Sequence, residues 1–343
     1  MSSYKIYPQQ NKIAEAEETV KESSIKENLD QDLIHKVLCP LTISLRIFGL
    51  YFEKADRLRM TKQFSRLYSL FIVIIMWLNA IRIFTIFSED DQWQVIFVKI
   101  GMVCWETTCA VIQASCYKTS QNGRILEVLQ TFNKDMNSRW AKQLRVKVIL
   151  CVIIAWIYVA FGVVSTAYIV FSKYSLFNVM IAPYTTMIMN SSPLTIITMD
   201  IVYHVMYFYI SGANIFPIMW YCVLSSVISQ EFKKCTKTVR NIAKDPATAK
   251  RSIEIVRCRH QMLCRMVNKV DGQVCLNTAT YLVGLIFLII MYLYTLIFSK
   301  DIRNNPYFLC VFLTWILASV FELIIVAHGG IMINQSVRIP EHS

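Results

Sequence analysis

The chain has 343 residues, 55% hydrophobic and only 17% charged, with 9 Gly and 8 Pro, whereas soluble domains carry about 25% charged residues. That balance excludes disordered, collagen-like and linker-rich chains, and apolar runs of about twenty residues or more exclude a single water-soluble core. The net charge of +12 would suit a nucleic-acid partner only if the bases gathered on a soluble face, so their placement along the chain decides what it means.

Residues 1–37 form a polar N-terminal segment rich in Glu and Lys. It contains no apolar stretch, so no cleaved signal peptide is expected, and the first true span must direct insertion. Six apolar segments follow, at 67–87, 94–117, 146–171, 195–228, 276–298 and 307–330. Each is long enough to cross a hydrocarbon layer at about 1.5 Å rise per residue. The fourth contains Gly212 and Pro217, which predicts a kink or a tilt. Segment 179–189 carries Pro183 and polar residues; it is too short to span and reads as part of an outer loop or a helix extension. The fold expected is all-α, a polytopic transmembrane bundle of six helices over 38–330, with 331–343 as a tail.

Loop charges orient the spans, because Lys and Arg are retained on the cytosolic side. Segment 118–147 holds seven bases against two acids, and segment 230–275 eleven against four. Segment 88–93 instead holds Glu89, Asp90 and Asp91 with no base, 171–193 has only Lys173, and 300–305 has two bases. The alternation predicts a multi-pass plasma-membrane protein with both termini cytosolic. The positive charge is then explained by cytosolic retention and anionic headgroups rather than by nucleic acid, and the basic stretches read as helix extensions. The Asn190-Ser191-Ser192 sequon falls in a predicted outer loop and makes Asn190 a glycosylation candidate. The eleven cysteines include no C-x-x-C pair and no Cys/His cluster at zinc spacing, so they read as reduced thiols.

Ionisable side chains inside spans are the sharpest local signals, since a charge at bilayer depth costs about 3 kcal/mol or more unless paired. Glu106 and Glu322 fall near the middle of the second and sixth spans, where a carboxylate either bonds to a neighbouring helix or faces a ligand cavity. Arg82 lies near the outer end of the first span and reads as an interfacial anchor. Asp200 and His204 lie one turn apart near the outer end of the fourth span, on one helical face. Tyr158 and Tyr168, Tyr203 and Tyr207, Tyr292, and Trp315 occupy the outer halves of the third, fourth, fifth and sixth spans. A ring with a hydrogen-bonding tip suits a small-molecule pocket. The ligand-binding candidates are therefore Glu106, Tyr158, Tyr168, Asp200, Tyr203, His204, Tyr207, Tyr292, Trp315 and Glu322. No catalytic motif, phosphate loop or metal-ligand spacing occurs, so neither enzyme chemistry nor a cofactor is expected.

Leu38-Cys-Pro-Leu-Thr-Ile-Ser-Leu-Arg-Ile-Phe-Gly-Leu50 precedes the first span, and Arg259-His-Gln-Met-Leu-Cys-Arg-Met-Val-Asn268 leads into the fifth. The two stretches resemble arthropod gustatory receptors: the first is similar to the hydrophobic–Arg–Ile–x–Gly–Leu stretch that opens that family, the second to its approach to the fifth helix. The resemblance runs from about Leu38 to Gly330 and includes the long basic loop and the short fifth-to-sixth connection. It implies a chemosensory receptor that binds a small-molecule tastant from outside and gates a cation conductance in the lipid bilayer, as a homo- or hetero-oligomer, by resemblance a tetramer. The family's Thr-Tyr…Gln-Phe signature sits in a seventh, pore-lining helix. Thr280-Tyr281 matches only in part, with Phe287-Leu288 where Gln-Phe belongs, and it falls in the fifth span. If Ser343 is the natural end, the pore is expected to be absent or supplied by a partner; the alternative is a truncated sequence or a shortened isoform. The alternative to a receptor is a small polytopic transporter or membrane scaffold, which would more often show internal repeats. A seven-helix receptor with an external N-terminus conflicts with the basic loops.

Overall fold

In lipid every backbone N–H and C=O must be satisfied within the protein, which makes helices the natural state of long apolar segments. The computed structural model describes residues 36–51, 59–84, 87, 93–122, 138–171, 193–243 and 249–337. In chain order these form α1 (36–47), α2 (Arg59–Ile83), α3 (Trp93–Asn122), α4 (Ser138–Phe171), α5 (Pro193–Ala243), α6 (Ala249–Phe298), the short α7 (Lys300–Asn304) and α8 (Pro306–Val337). Among the described residues there is no strand. Six helices, α2 to α6 and α8, are long and apolar enough to cross a membrane.

The bundle is organised around α5. Its apolar window is 78% buried, against 28–39% for the other five spans, and α3, α4, α6 and α8 all pack on it. A helix apolar on all sides belongs in the interior. The outer helices turn apolar rows outward, for example Ile149, Ile153, Ile157 and Val164 on α4 and Leu313, Leu317, Phe321 and Ile324 on α8. Outward rows of this length invert an aqueous surface and belong against lipid. The chain is a multi-pass helical membrane protein.

Helix α2 extends to Ile83, and residues 85–86 lie outside the described residues. Helix α8 runs past position 331 to Val337. Helix α5 carries Pro217 in its interior; the missing N–H removes one helical hydrogen bond, a loss that neighbouring helices in a packed bundle can absorb. The basic stretches do form helix extensions, α5 to Ala243 and α6 from Ala249. Buried Glu231 joins them, at 2.5 Å from Lys234 Nζ and 3.2 Å from Arg259 Nη2. Segment 179–189, Asn190 and the acids at 89–91 lie outside the described residues.

The stretch resembling the family's opening motif does more than precede a span. Leu41 and Phe48 are fully buried, and Phe48 packs at ring-centroid distances of 4.8–5.5 Å on Phe208, Phe216 and Trp156. Helix α1 ends in a Schellman turn, with Leu50 N–H donating to Leu45 O (2.8 Å) and Gly49 N–H to Arg46 O (3.0 Å). Gly49 takes the left-handed φ of 66° that this cap requires. The other helices supply donors to the remaining carbonyls. Tyr68 donates to Ile47 O (2.5 Å), Gln113 Nε2 to Phe48 O (3.1 Å) and Ser120 to Leu50 O (3.4 Å). Segment 36–51 is thus a plug wedged between α2, α3, α4 and α5.

Candidate functional site

Five spans contribute one face each to a cavity of about 80 Å³. Helical spacing explains which residues reach it, since positions three or four apart share a face. Helix α3 gives Met102, Trp105 and Glu106; α4 gives Tyr158, Phe161 and Gly162; α5 gives Tyr203, Tyr207, Ser211 and Asn214. Helix α6 gives Leu288, Met291, Tyr292 and Thr295, and α8 gives Phe312, Trp315, Ser319 and Glu322. The cavity lies toward the bundle end that carries α7. Ile302 of that short helix is buried against Phe308 and Phe312, with Tyr292 and Trp315 packed on the same cluster.

The wall is aromatic. Trp105 and Tyr207 meet at 5.4 Å, Tyr292 and Trp315 at 5.9 Å, and Phe312 and Trp315 at 5.4 Å between ring centroids. Close approach of α4 and α5 depends on Gly162, where a Cβ would stand 3.3 Å from both Ser211 Oγ and Tyr207 Cε1.

The polar groups form two networks. In the first, Asn214 Nδ2 donates to Glu322 Oε1 (3.1 Å), lies 3.3 Å from Oε2, and donates to Tyr158 Oη (3.0 Å). Tyr281 donates to Asn214 Oδ1 at 3.2 Å. Four helices meet at one amide. In the second, the Asn79 amide donates to Glu106 and Arg82 Nε donates to Asn79 Oδ1 at 3.0 Å. Arg82 Nη2 lies 3.7 Å from Glu106 Oε1, with both side chains buried. Tyr281 also lines a second cavity of about 60 Å³ with Leu45, Leu50, Pro217 and Val326. The Asn214 network separates the two spaces.

Of the ten candidates, Glu106, Tyr158, Tyr203, Tyr207, Tyr292, Trp315 and Glu322 line the main cavity. Three are elsewhere. Tyr168 packs on Tyr307 at 3.8 Å between centroids. Asp200 and His204 face a separate groove beside Val163, Ile201 and Phe208, and the ring nitrogen Nδ1 of His204 is engaged by the Asp200 carbonyl at 2.6 Å. Their spacing fixed a shared face but not which face, and the central position of α5 gives it several. Arg82, expected as an interfacial anchor, stands instead beside Glu106 at 3.7 Å, because α2 packs against α3. Asn79 and Asn214 were not among the candidates. Each is a lone amide in an apolar run, and Asn79 stands one turn before Arg82, which marks it as that cation's neighbour.

Among the described residues no three His, Cys, Asp or Glu side chains gather as metal ligands. No protein-family model matches the chain, and no curated protein matches it.

Proposed function

We propose that this chain is a chemosensory receptor of the gustatory type, which takes a small molecule into the cavity and gates a cation conductance as an oligomer. The observation that carries the reading is an aromatic cavity with a few fixed polar groups, built by five spans, the composition expected of a small-molecule site. It lies at the bundle end opposite the basic extensions of α5 and α6. On the charge rule that end is extracellular, with both termini cytosolic and the protein in the plasma membrane. The resemblance at Leu38–Leu50 and Arg259–Asn268 supports the same class, and oligomeric assembly goes with it.

The test is electrical. Cells expressing the chain, alone or with a full-length receptor of this type, are expected to show small-molecule-evoked cation current. Ser319→Phe, which fills the cavity, is expected to abolish it. Absence of current with every partner refutes the reading. A mobility shift removed by Asn190→Gln checks the orientation, and an N-terminal epitope reached on intact cells would reverse it.

A further inference from the structure

We infer that the cavity recognises a small organic amine, with the Glu322 carboxylate as counter-ion to the ammonium group and the aromatic wall taking the hydrocarbon body. The inference rests on the receptor reading above and names its ligand class.

Two carboxylates reach the cavity, and they are held differently. Glu106 is matched inside the protein by Arg82 and Asn79. Glu322 is 2% exposed, yet among the described residues the hydrogen-bond donor it receives is the neutral amide of Asn214. Among the described residues it forms no ion pair. A carboxylate at bilayer depth is unfavourable without a cation, and a ligand that brings one turns that deficit into a charge-assisted hydrogen bond. An anionic ligand would meet repulsion from the same group.

The surroundings suit a cation as well. Tyr158, Tyr207, Tyr292, Trp105 and Trp315 line the space, and ring faces attract ammonium groups most strongly where water is excluded. Leu288, Met291 and Phe312 offer an apolar end for the remainder of the molecule. A cavity of about 80 Å³ restricts that remainder to a short chain or one ring.

The experiment uses the full chain in nanodiscs of zwitterionic lipid, titrated calorimetrically with isopentylamine and with isopentanol, its uncharged counterpart. The amine is protonated near neutral pH. The wild type is expected to prefer the amine by about tenfold or more. Glu322→Gln is expected to collapse that preference, and Glu322→Asp, which keeps the charge, to retain most of it. If Glu322→Gln does not fold, Tyr292→Leu provides the second arm, with the preference reduced severalfold as a ring face is lost. Equal binding of amine and alcohol by the wild type, or a preference that survives Glu322→Gln, overturns the inference while leaving a ligand-binding cavity and hence the receptor reading. Binding of neither compound also overturns it, and the receptor reading falls with it only if evoked currents are absent too.

Discussion

Gly212→Ala reverses an ordinary expectation and tests the plug at 36–51. In an unobstructed helix interior, Gly to Ala stabilises by about 1 kcal/mol. At Gly212 an added Cβ would stand 2.0 Å from Cδ1, 2.3 Å from Cε1 and 2.5 Å from Cγ of Phe48. Carbon atoms pack best at about 3.5–4.0 Å, so the ring must retreat by roughly 1.5 Å. It has nowhere to go, because Phe48 is fully buried with Phe208, Phe216 and Trp156 within 5.5 Å of its centroid. Expelling a buried Phe costs about 3–5 kcal/mol. Offset by the helix-propensity gain, the net destabilisation is about 2–4 kcal/mol. Thermal unfolding in detergent, followed by a thiol-reactive dye that labels buried Cys109 and Cys235 only on opening, reads the change. Gly330→Ala is the control: its Cβ would meet only Tyr221 Oη at 3.6 Å, and it is expected to be neutral or stabilising. Phe48→Ala combined with Gly212→Ala should cost less than the sum of the two by about 1–3 kcal/mol. A Gly212→Ala protein at least as stable as wild type, or strict additivity in the double variant, would refute the plug as described.

Gly49→Ala forces a side chain onto φ 66° and sets its Cβ 2.7 Å from Ile72 Cδ1; a loss of about 1–3 kcal/mol is expected in the same unfolding assay. Arg82→Ala leaves the Glu106 carboxylate without its cation and is expected to destabilise by about 3–5 kcal/mol. Adding Glu106→Gln, which removes the stranded charge, should restore part of that loss, and no restoration would argue against the pair. Glu231→Ala breaks the link from α5 to α6 through Arg259. Amide exchange across Ile253–Met266 of α6 is expected to rise about tenfold, with the spans themselves unchanged.

The spans were legible because the bilayer imposes a length and a composition that a linear sequence displays directly. The window Leu276–Phe298 found in α6 coincides with the apolar run at 276–298. Beyond the apolar windows the basic stretches were readable as helix extensions, and α5 does run to Ala243. The pairing of Glu231 with Arg259 across to α6 was not, because it forms in three dimensions and hydropathy does not sense it. The cavity was partly legible for a related reason. Tyr158, Tyr207, Tyr292 and Trp315 share a depth, and depth can be counted from a span's end. Rotation about the helix axis cannot be counted that way, so His204 and Tyr168 share the depth but face elsewhere. Arg82 failed differently: snorkelling is the default for a cation near an interface, and only the packing of α2 on α3 brings Glu106 closer than the headgroups. The plug was the least visible feature. Nothing in the order of residues 36–51 says that Phe48 must meet Gly212, although a bulky ring and a bare backbone are what such a contact requires.

On the proposed receptor function, the two polar networks would bear differently on ligand response. Helices in a bilayer gain little from apolar burial against one another, so close packing and polar contacts hold them together. Asn214 is bonded to Tyr158 on α4, Tyr281 on α6 and Glu322 on α8, and α5 is the helix on which those three pack. A ligand that competes for Glu322 therefore acts on contacts between four helices at once. The Glu106 group joins α2 to α3 and carries its own cation, which leaves it little to exchange with a ligand. Substitutions at Glu322 and at Glu106 should consequently separate. Loss at Glu322 changes ligand response more than stability, because neutral donors can rebond to an amide. Loss at Arg82 changes stability first, because it strands a charge. A coupling route earns that name only where a ligand biases an element with two arrangements, and in this bundle the Asn214 junction is the place where a single bound cation would reach four helices.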